Sequence, residues 1–230
     1  MHALDPTAAR AVALRDASTT LVLRDAAGGF EVLMVKRSPH ASFMPGAHVF
    51  PGGAVDAAAG SESTVELAAR IGRVTRVGPR ARAYAAAALR ECREECGLDL
   101  GSTRALQPWS HWVTPLGLPK RFDTLFFVAR APAGQVPQPD HAETTTLEWV
   151  APRAALEAHR AGRFPMEFAT VQTVRSLLPH ADGPVQALLD HAAALADLPP
   201  LHPRLRLDAA RQVRGIALPG EPGYEALDGD

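Results

Sequence analysis

The segment Arg90-Glu91-Cys92-Arg93-Glu94-Glu95-Cys96-Gly97-Leu98 reads as the end of a helix stopped at Gly97. In that helix Glu91, Glu94 and Glu95 stand at i, i+3 and i+4, which puts three carboxylates on one face. Ala85, Ala88, Leu89, Cys92 and Cys96 fall on the other side. The pattern predicts an exposed acidic face and a packed apolar one. Gly97 is where a left-handed C-cap belongs. Three like charges crowded together repel, and a divalent cation with oxygen ligands removes that cost; Mg²⁺ typically combines a few carboxylates with substrate phosphates. A solvated helix face would carry the same residues. The Arg90–Glu94 pair at i, i+4 is worth only a few tenths of a kcal/mol, roughly, and does not separate the two readings.

What separates them lies upstream. Ser18–Arg24 is short, apolar and β-branched, Asp25–Gly29 is a turn, and Phe30–Arg37 is a second strand, so the pair predicts a hairpin. Ser38–Pro45 is a loop. Ala47–Phe50 reads as a short strand running into Pro51-Gly52-Gly53, where paired glycines let the backbone turn sharply and approach a ligand.

Gly52-Gly53 followed by a helix bearing Arg90-Glu91, Glu94-Glu95 and Gly97 resembles the Nudix hydrolases. Gly53 opens the family's box, Arg90–Leu98 fill its last nine positions, and Cys92 takes the apolar slot. The span from Gly53 to Arg90 is about 23 residues longer than the usual box, and Arg82 stands at the position of its first glutamate. Further upstream, Arg37, Ser38, Gly46, Phe50, Pro51, Gly52, Gly53 and Asp56 match the motif that precedes the box in coenzyme A diphosphatases; Ser42 replaces its second arginine. An interrupted box with Pro45-Gly-Ala-His-Val-Phe50 is most similar to the peroxisomal coenzyme A diphosphatase branch and its bacterial relatives.

The resemblance implies an α+β fold, the Nudix α/β/α sandwich with a mixed sheet, a helical insertion at 54–82 and extra C-terminal helices, in a single domain over 1–230. It implies a diphosphatase dependent on Mg²⁺ or Mn²⁺, acting on a nucleoside diphosphate linked to another moiety, with coenzyme A or its thioesters as the first candidate. Glu91, Glu94, Glu95 and the Gly52 carbonyl would hold metal. Arg90 would fix the glutamates. Glu143, at a loop–strand junction, is the candidate for a further catalytic carboxylate. Arg37, Phe50, Gly52, Gly53 and Arg121 are the candidates for substrate binding. An ADP-ribose or nucleotide-sugar diphosphatase is the rival within the class. A catalytically silent nucleotide-binding module is the rival outside it; Arg82 favours it, and retention of three mutually repelling glutamates opposes it.

The insertion carries a helix over Thr64–Val74 and then Gly78-Pro79. Emerging beside the box, it is expected to form a lid or pocket wall, with Arg70, Arg73, Arg76, Arg80 and Arg82 available to phosphates. Arg121–Arg130 is the best central strand, with Phe126 and Phe127 read as core and Trp112 or Phe122 as possible base-stacking residues. Thr144–Val150 is a strand. Ala151–Gly162, Met166–Leu178 and Val185–Ala196 follow as helices, with His159, His180 and His191 read as satisfied surface residues. A Pro-rich extension over 198–230 closes the chain as extended segments packed over the domain.

Composition narrows the partners. A formal net charge of −1 provides no basic field for nucleic acid, which leaves a small-molecule nucleotide as the expected partner. The bias toward alanine and arginine, with Lys36 and Lys120 the only lysines, reflects genome composition. The two cysteines lie on the packed helix face and suit a reducing compartment. Met1–Arg15 has charges and no apolar run, and no stretch is apolar enough to span a membrane, so a cytoplasmic enzyme is expected. Nothing in the sequence selects an oligomeric state.

Overall fold

The computed structural model describes residues 12–41, 44–56, 65–101, 105–142 and 144–227. The predicted hairpin is present and longer at its start: β1 runs Leu14–Ala26 and β2 Gly29–Arg37. β3 (His48–Val49) and β4 (Gly52–Ala54) follow, then α1 (Val65–Val74) and α2 (Ala81–Cys96). β5 (Gln107–Val113), β6 (Arg121–Arg130) and β7 (Thr144–Val150) complete the main sheet. α3 (Pro152–Arg160), α4 (Phe168–Ser176) and α5 (Val185–Ala194) come next. β8 (Arg204–Leu207) and β9 (Val213–Ala217) form a separate antiparallel hairpin, more ordered than the extended segments expected of the Pro-rich extension. Tyr224 secures it, donating its hydroxyl to the His202 carbonyl at 2.6 Å while the Arg204 guanidinium lies over its ring.

β1 is the central strand. β6 runs parallel to it on one side, with β5 beyond in antiparallel register. On the other side β1 pairs antiparallel with β2 over its last residues and with β4 over Ala17–Thr19; β2 in turn pairs with β3 and β7. The sheet is therefore mixed, and strand alternation gives it two faces. Val22, Leu33, Leu125 and Phe127 meet α1 and α2 on one; Leu21, Leu23, Met34 and Val128 meet α3, α4 and α5 on the other. The result is the helix–sheet–helix sandwich implied by the resemblance.

α2 carries the box glutamates and sits close to the sheet because its inner face is small: Ala81, Ala85, Ala88, Cys92 and Cys96 are buried against β1 and β6. Both thiols are free core groups, as expected. Gly97 adopts φ 65°, so its N–H reaches Arg93 O and that of Leu98 reaches Cys92 O, closing carbonyls that the helix end would otherwise orphan. At the other end Arg80 is tied to Asp16 and Asp123, which anchors the helix start to β1 and β6. Pinned at both ends, α2 holds its glutamates at fixed height above β4.

The described part of the insertion does not wall the cleft. α1 packs into the core through Leu67 and Ile71. Arg70 donates to the Ala192 carbonyl at 2.9 Å, Arg76 pairs with Asp197, and Arg80 serves the anchor just described. Among the described residues of 54–82, Ala54 alone lines the cleft. None of these three arginines lines the cleft, and α1 keeps its apolar stripe buried beside α2. Among the described residues no helix is long and apolar enough to cross a membrane.

Candidate active site

A cleft of about 870 Å³ opens where β1, β3, β4 and β6 meet the side of α2 and the start of α4. That size suits a nucleotide-like ligand. β4 creates it. Gly52 registers with Thr19 and Gly53 with Ser18. The antiparallel ladder bonds flank Gly52, from Thr20 N–H to Pro51 O and from Val55 N–H to Asp16 O. Alternation therefore points the N–H and carbonyl of Gly52 away from β1. That N–H is donated to a Glu95 carboxylate oxygen at 2.9 Å.

The two glycines are required by closeness rather than by a turn. A Cβ on Gly52 would stand 2.7 Å from Thr19 Cα, and one on Gly53 2.6 Å from the Glu91 carboxyl carbon. The absence of side chains lets the acidic helix face lie directly on β4. The expected turn is thus a short edge strand.

The three glutamates share this wall but not one environment, which corrects the uniformly exposed acidic face read from the sequence. Glu95 is only 4% exposed, the Glu91 side chain 14% and the Glu94 side chain 61%. Helix geometry put the three on one face; β4, unseen as a strand, covers part of it. Arg90 bridges the set. It donates to Ala54 O and to Glu91 Oε1, each at 2.7 Å, and its Nε stands 3.6 Å from Glu94. Arg90 thereby links two of the carboxylates to β4.

Could these residues hold a divalent ion? Among the described residues no three carboxylate, imidazole or thiol groups converge into a ready-made cage. The donor set still fits. It is entirely oxygen, as Mg²⁺ and Mn²⁺ prefer. Glu95 and the Gly52 carbonyl are brought to the same side of β4, and Glu94 lines the same cleft.

The remaining predicted residues divide. Arg37 and Gly53 line the cleft, as does Phe50, which is buried as floor and meets Phe126 edge-on at 6.3 Å. Arg121 does not. It is buried on the α2 face of β6 and donates from Nε to Thr114 O at 3.1 Å; its neighbour Phe122 faces the cleft instead. Trp112 is core, edge-on to Phe168. Phe126 and Phe127 are buried as expected. Glu143 lies outside the described residues. From the same loop Asp140 reaches the cleft wall, its Oδ1 accepting from the N–H and hydroxyl of Thr144, whose hydroxyl also stands 3.3 Å from Glu95 O. His180 and His191 have ring partners: the two lie 4.5 Å apart beside Trp109.

The sequence reading missed Arg15, Thr19, Lys120, Asp140 and Glu167, all in the cleft lining. Arg15 was left outside the first strand. The signal that places it is alternation: Arg15, Ala17 and Thr19 continue the face of Leu21 and Leu23.

Residues 7–90 match the family described as the NUDT19 Nudix domain, and residues 75–168 match the NUDIX domain. The chain is similar to the acyl-coenzyme A diphosphatase NUDT19 of Homo sapiens, at 28% identity over 57% of this chain and 56% of that one. It is similar to the acyl-coenzyme A diphosphatase NUDT19 of Xenopus laevis at 25% identity, over 57% of this chain and 55% of that one. The matches thus span about half the length of these curated relatives. Among solved structures, a NUDIX hydrolase from Alicyclobacillus acidocaldarius aligns with a TM-score of 0.64 at 26% identity, covering 81% of this chain and 98% of that one.

Proposed function

Since the chain belongs to the Nudix hydrolase family, we propose that it hydrolyses the diphosphate of coenzyme A or its thioesters to adenosine 3′,5′-bisphosphate and a 4′-phosphopantetheine. One observation carries this reading. The segment that resembles the coenzyme A diphosphatase motif, ending in Phe50-Pro51-Gly52-Gly53, forms the strand on which the box glutamates rest, with Gly52 N–H donated to Glu95 at 2.9 Å.

Nudix hydrolases generally need divalent metal ions. Glu91, Glu94, Glu95 and the Gly52 carbonyl would hold Mg²⁺ or Mn²⁺ here, and such an ion neutralises the diphosphate and lowers the pKa of bound water. This chain's own residues do the rest. Arg90 holds Glu91 by a charge-assisted hydrogen bond and Glu94 by an ion pair while it bonds the Ala54 carbonyl of β4. Gly52 orients Glu95. Glu91, enclosed between Arg90 and Gly53, would serve either as a metal ligand or as the carboxylate that takes the proton of the attacking water. Water adds at one phosphorus, the bridging P–O bond breaks, and Arg37 at the cleft wall balances charge on the departing phosphate.

The test is product analysis with Mg²⁺ or Mn²⁺, offering coenzyme A, ADP-ribose, NADH and diadenosine polyphosphates in parallel. Selective cleavage of coenzyme A to the two products supports the proposal. Turnover of ADP-ribose alone keeps the metal chemistry and discards the coenzyme A assignment. No turnover of any of them transfers the weight to a binding module.

A further inference from the structure

Resting on that diphosphatase reading, we propose that Arg15, Lys120 and Phe122 form a nucleotide subsite in which Phe122 packs on the base and the two cations take a phosphomonoester at the ribose 3′ position. The three line one end of the cleft. Arg15 and Phe122 are direct partners in the parallel β1–β6 ladder and lie on the same face. Phe122 is half-buried, and its backbone N–H is held by Thr114 Oγ1 at 3.0 Å, which fixes the ring's strand position. Lys120 immediately precedes β6.

Distance along β1 separates this end from the glutamates. Gly52 registers with Thr19, and Arg15 lies four residues away, about 13 Å at the usual rise of a strand. That interval is on the scale of one extended nucleoside. A diphosphate at Glu91, Glu94 and Glu95 would therefore put its base and ribose at Phe122 and Arg15.

The charge pattern singles out an anion there. The Arg15 side chain has no hydrogen-bond or ion-pair partner among the described residues. Its sequence neighbour Asp16 points through the sheet and is tied to Arg80, so it does not neutralise Arg15. Asp140, another cleft carboxylate, is bound to Thr144 beside the Glu95 backbone. A guanidinium and an ammonium beside an aromatic face suit a dianionic phosphate on a nucleoside. The terminal 3′-phosphate distinguishes coenzyme A from dephospho-coenzyme A and from ADP-ribose, so these residues would set specificity.

The test reads binding first, so that it does not depend on turnover. Calorimetry on the full chain compares adenosine 3′,5′-bisphosphate with 5′-AMP. The wild type is expected to prefer the bisphosphate by about tenfold or more, the scale of a hydrogen bond to a charged group. Arg15→Gln and Lys120→Met should each shrink that preference several-fold with 5′-AMP affinity nearly unchanged, whereas Arg37→Ala should keep it. Equal wild-type affinities, or a preference that survives both substitutions or falls only in Arg37→Ala, would overturn the subsite. Thermal unfolding checks that each variant folds, and Arg15→Lys is the milder substitute should Arg15→Gln not fold. Turnover of coenzyme A against dephospho-coenzyme A then separates the two proposals. A binding preference without coenzyme A cleavage sinks the diphosphatase assignment and leaves the subsite standing. Cleavage with neither a binding preference nor discrimination does the reverse.

Discussion

Arg15 and Asp16 are neighbours in β1, and Phe122 and Asp123 are neighbours in β6, yet strand alternation sends each pair to opposite sides of the sheet. Behind the sheet, Asp123 is contacted by His111 and by Arg80 at 3.4 Å, Arg80 also holds Asp16, and Tyr84 donates its hydroxyl to Asp123 O at 3.2 Å. Burial raises the Tyr84 hydroxyl pKa, helped by the two aspartates, so it remains a donor. In front, charges stay in an open cleft. Acids gather at β4 and α2, and Arg15 and Lys120 stand at the far end. The rear cluster pairs its carboxylates internally and fastens α2 to the strands. The front cluster lines a cleft open to a ligand. A protein can thus draw anchoring and recognition from alternate residues of one strand pair.

The sharpest way to break this comparison is Asp123→Ala. It leaves Arg80 and His111 facing a buried void and should cost about 3–5 kcal/mol, the scale of removing one member of a buried pair. Denaturant unfolding measures it. A loss below about 1 kcal/mol would mean that the rear cluster is decorative. Glu95→Gln is the counterpart in front. The amide oxygen can still accept from Gly52, so stability should hold, while turnover falls at least about 100-fold, or about 2.7 kcal/mol of transition-state stabilisation. A variant that unfolds readily but turns over normally would invert the roles assigned to the two faces.

Gly53→Ala is expected to do less. Its Cβ would meet the end of a flexible Glu91 side chain rather than backbone, so the carboxylate moves and the fold does not. Turnover should fall about tenfold, the loss expected when a catalytic group is displaced slightly. Gly52→Ala, aimed at Thr19 Cα and Ser18 O, should instead lower the melting temperature, and the pair of variants separates room for a carboxylate from room for a strand.

The helix register of Glu91, Glu94 and Glu95, the stop at Gly97 and the strands Arg121–Arg130 and Thr144–Val150 were legible because each is a local pattern of spacing and propensity. The faces were not. Alternation says that Arg121 and Phe122 point oppositely, but which of them meets the cleft depends on β6 pairing with β1, about a hundred residues earlier. The sequence therefore offers Arg121 as the candidate, whereas Phe122 is the one that lines the cleft. Arg15 was missed for a related reason: the charged run Arg15-Asp16 does not look like a strand until a parallel partner extends β1 through it. The arginines of 54–82 misled because their number suggested phosphates, whereas α1 is oriented by Leu67 and Ile71.

The mildest prediction concerns acid. Burial pushes the Asp123 carboxyl up, but the bonds and charges of His111 and Arg80 outweigh it and hold its pKa below the ordinary 3.8. Below 3.8 an unfolded chain takes up a proton that the native carboxylate still refuses. The contribution of Asp123 is therefore complete above that pH and is lost as pH falls through the native value. Melting curves of wild type and Asp123→Asn between pH 6 and pH 3 test this. At pH 6 the wild type should be the more stable, and the gap should narrow steadily below about pH 4 as its carboxylate protonates. A gap that stays constant to pH 3 would assign the anchoring to shape and hydrogen bonding, since Asn preserves both, and not to charge. The contrast between the faces would then rest on burial alone, with the rear cluster held as a packed core polar group and only the cleft using charge as such.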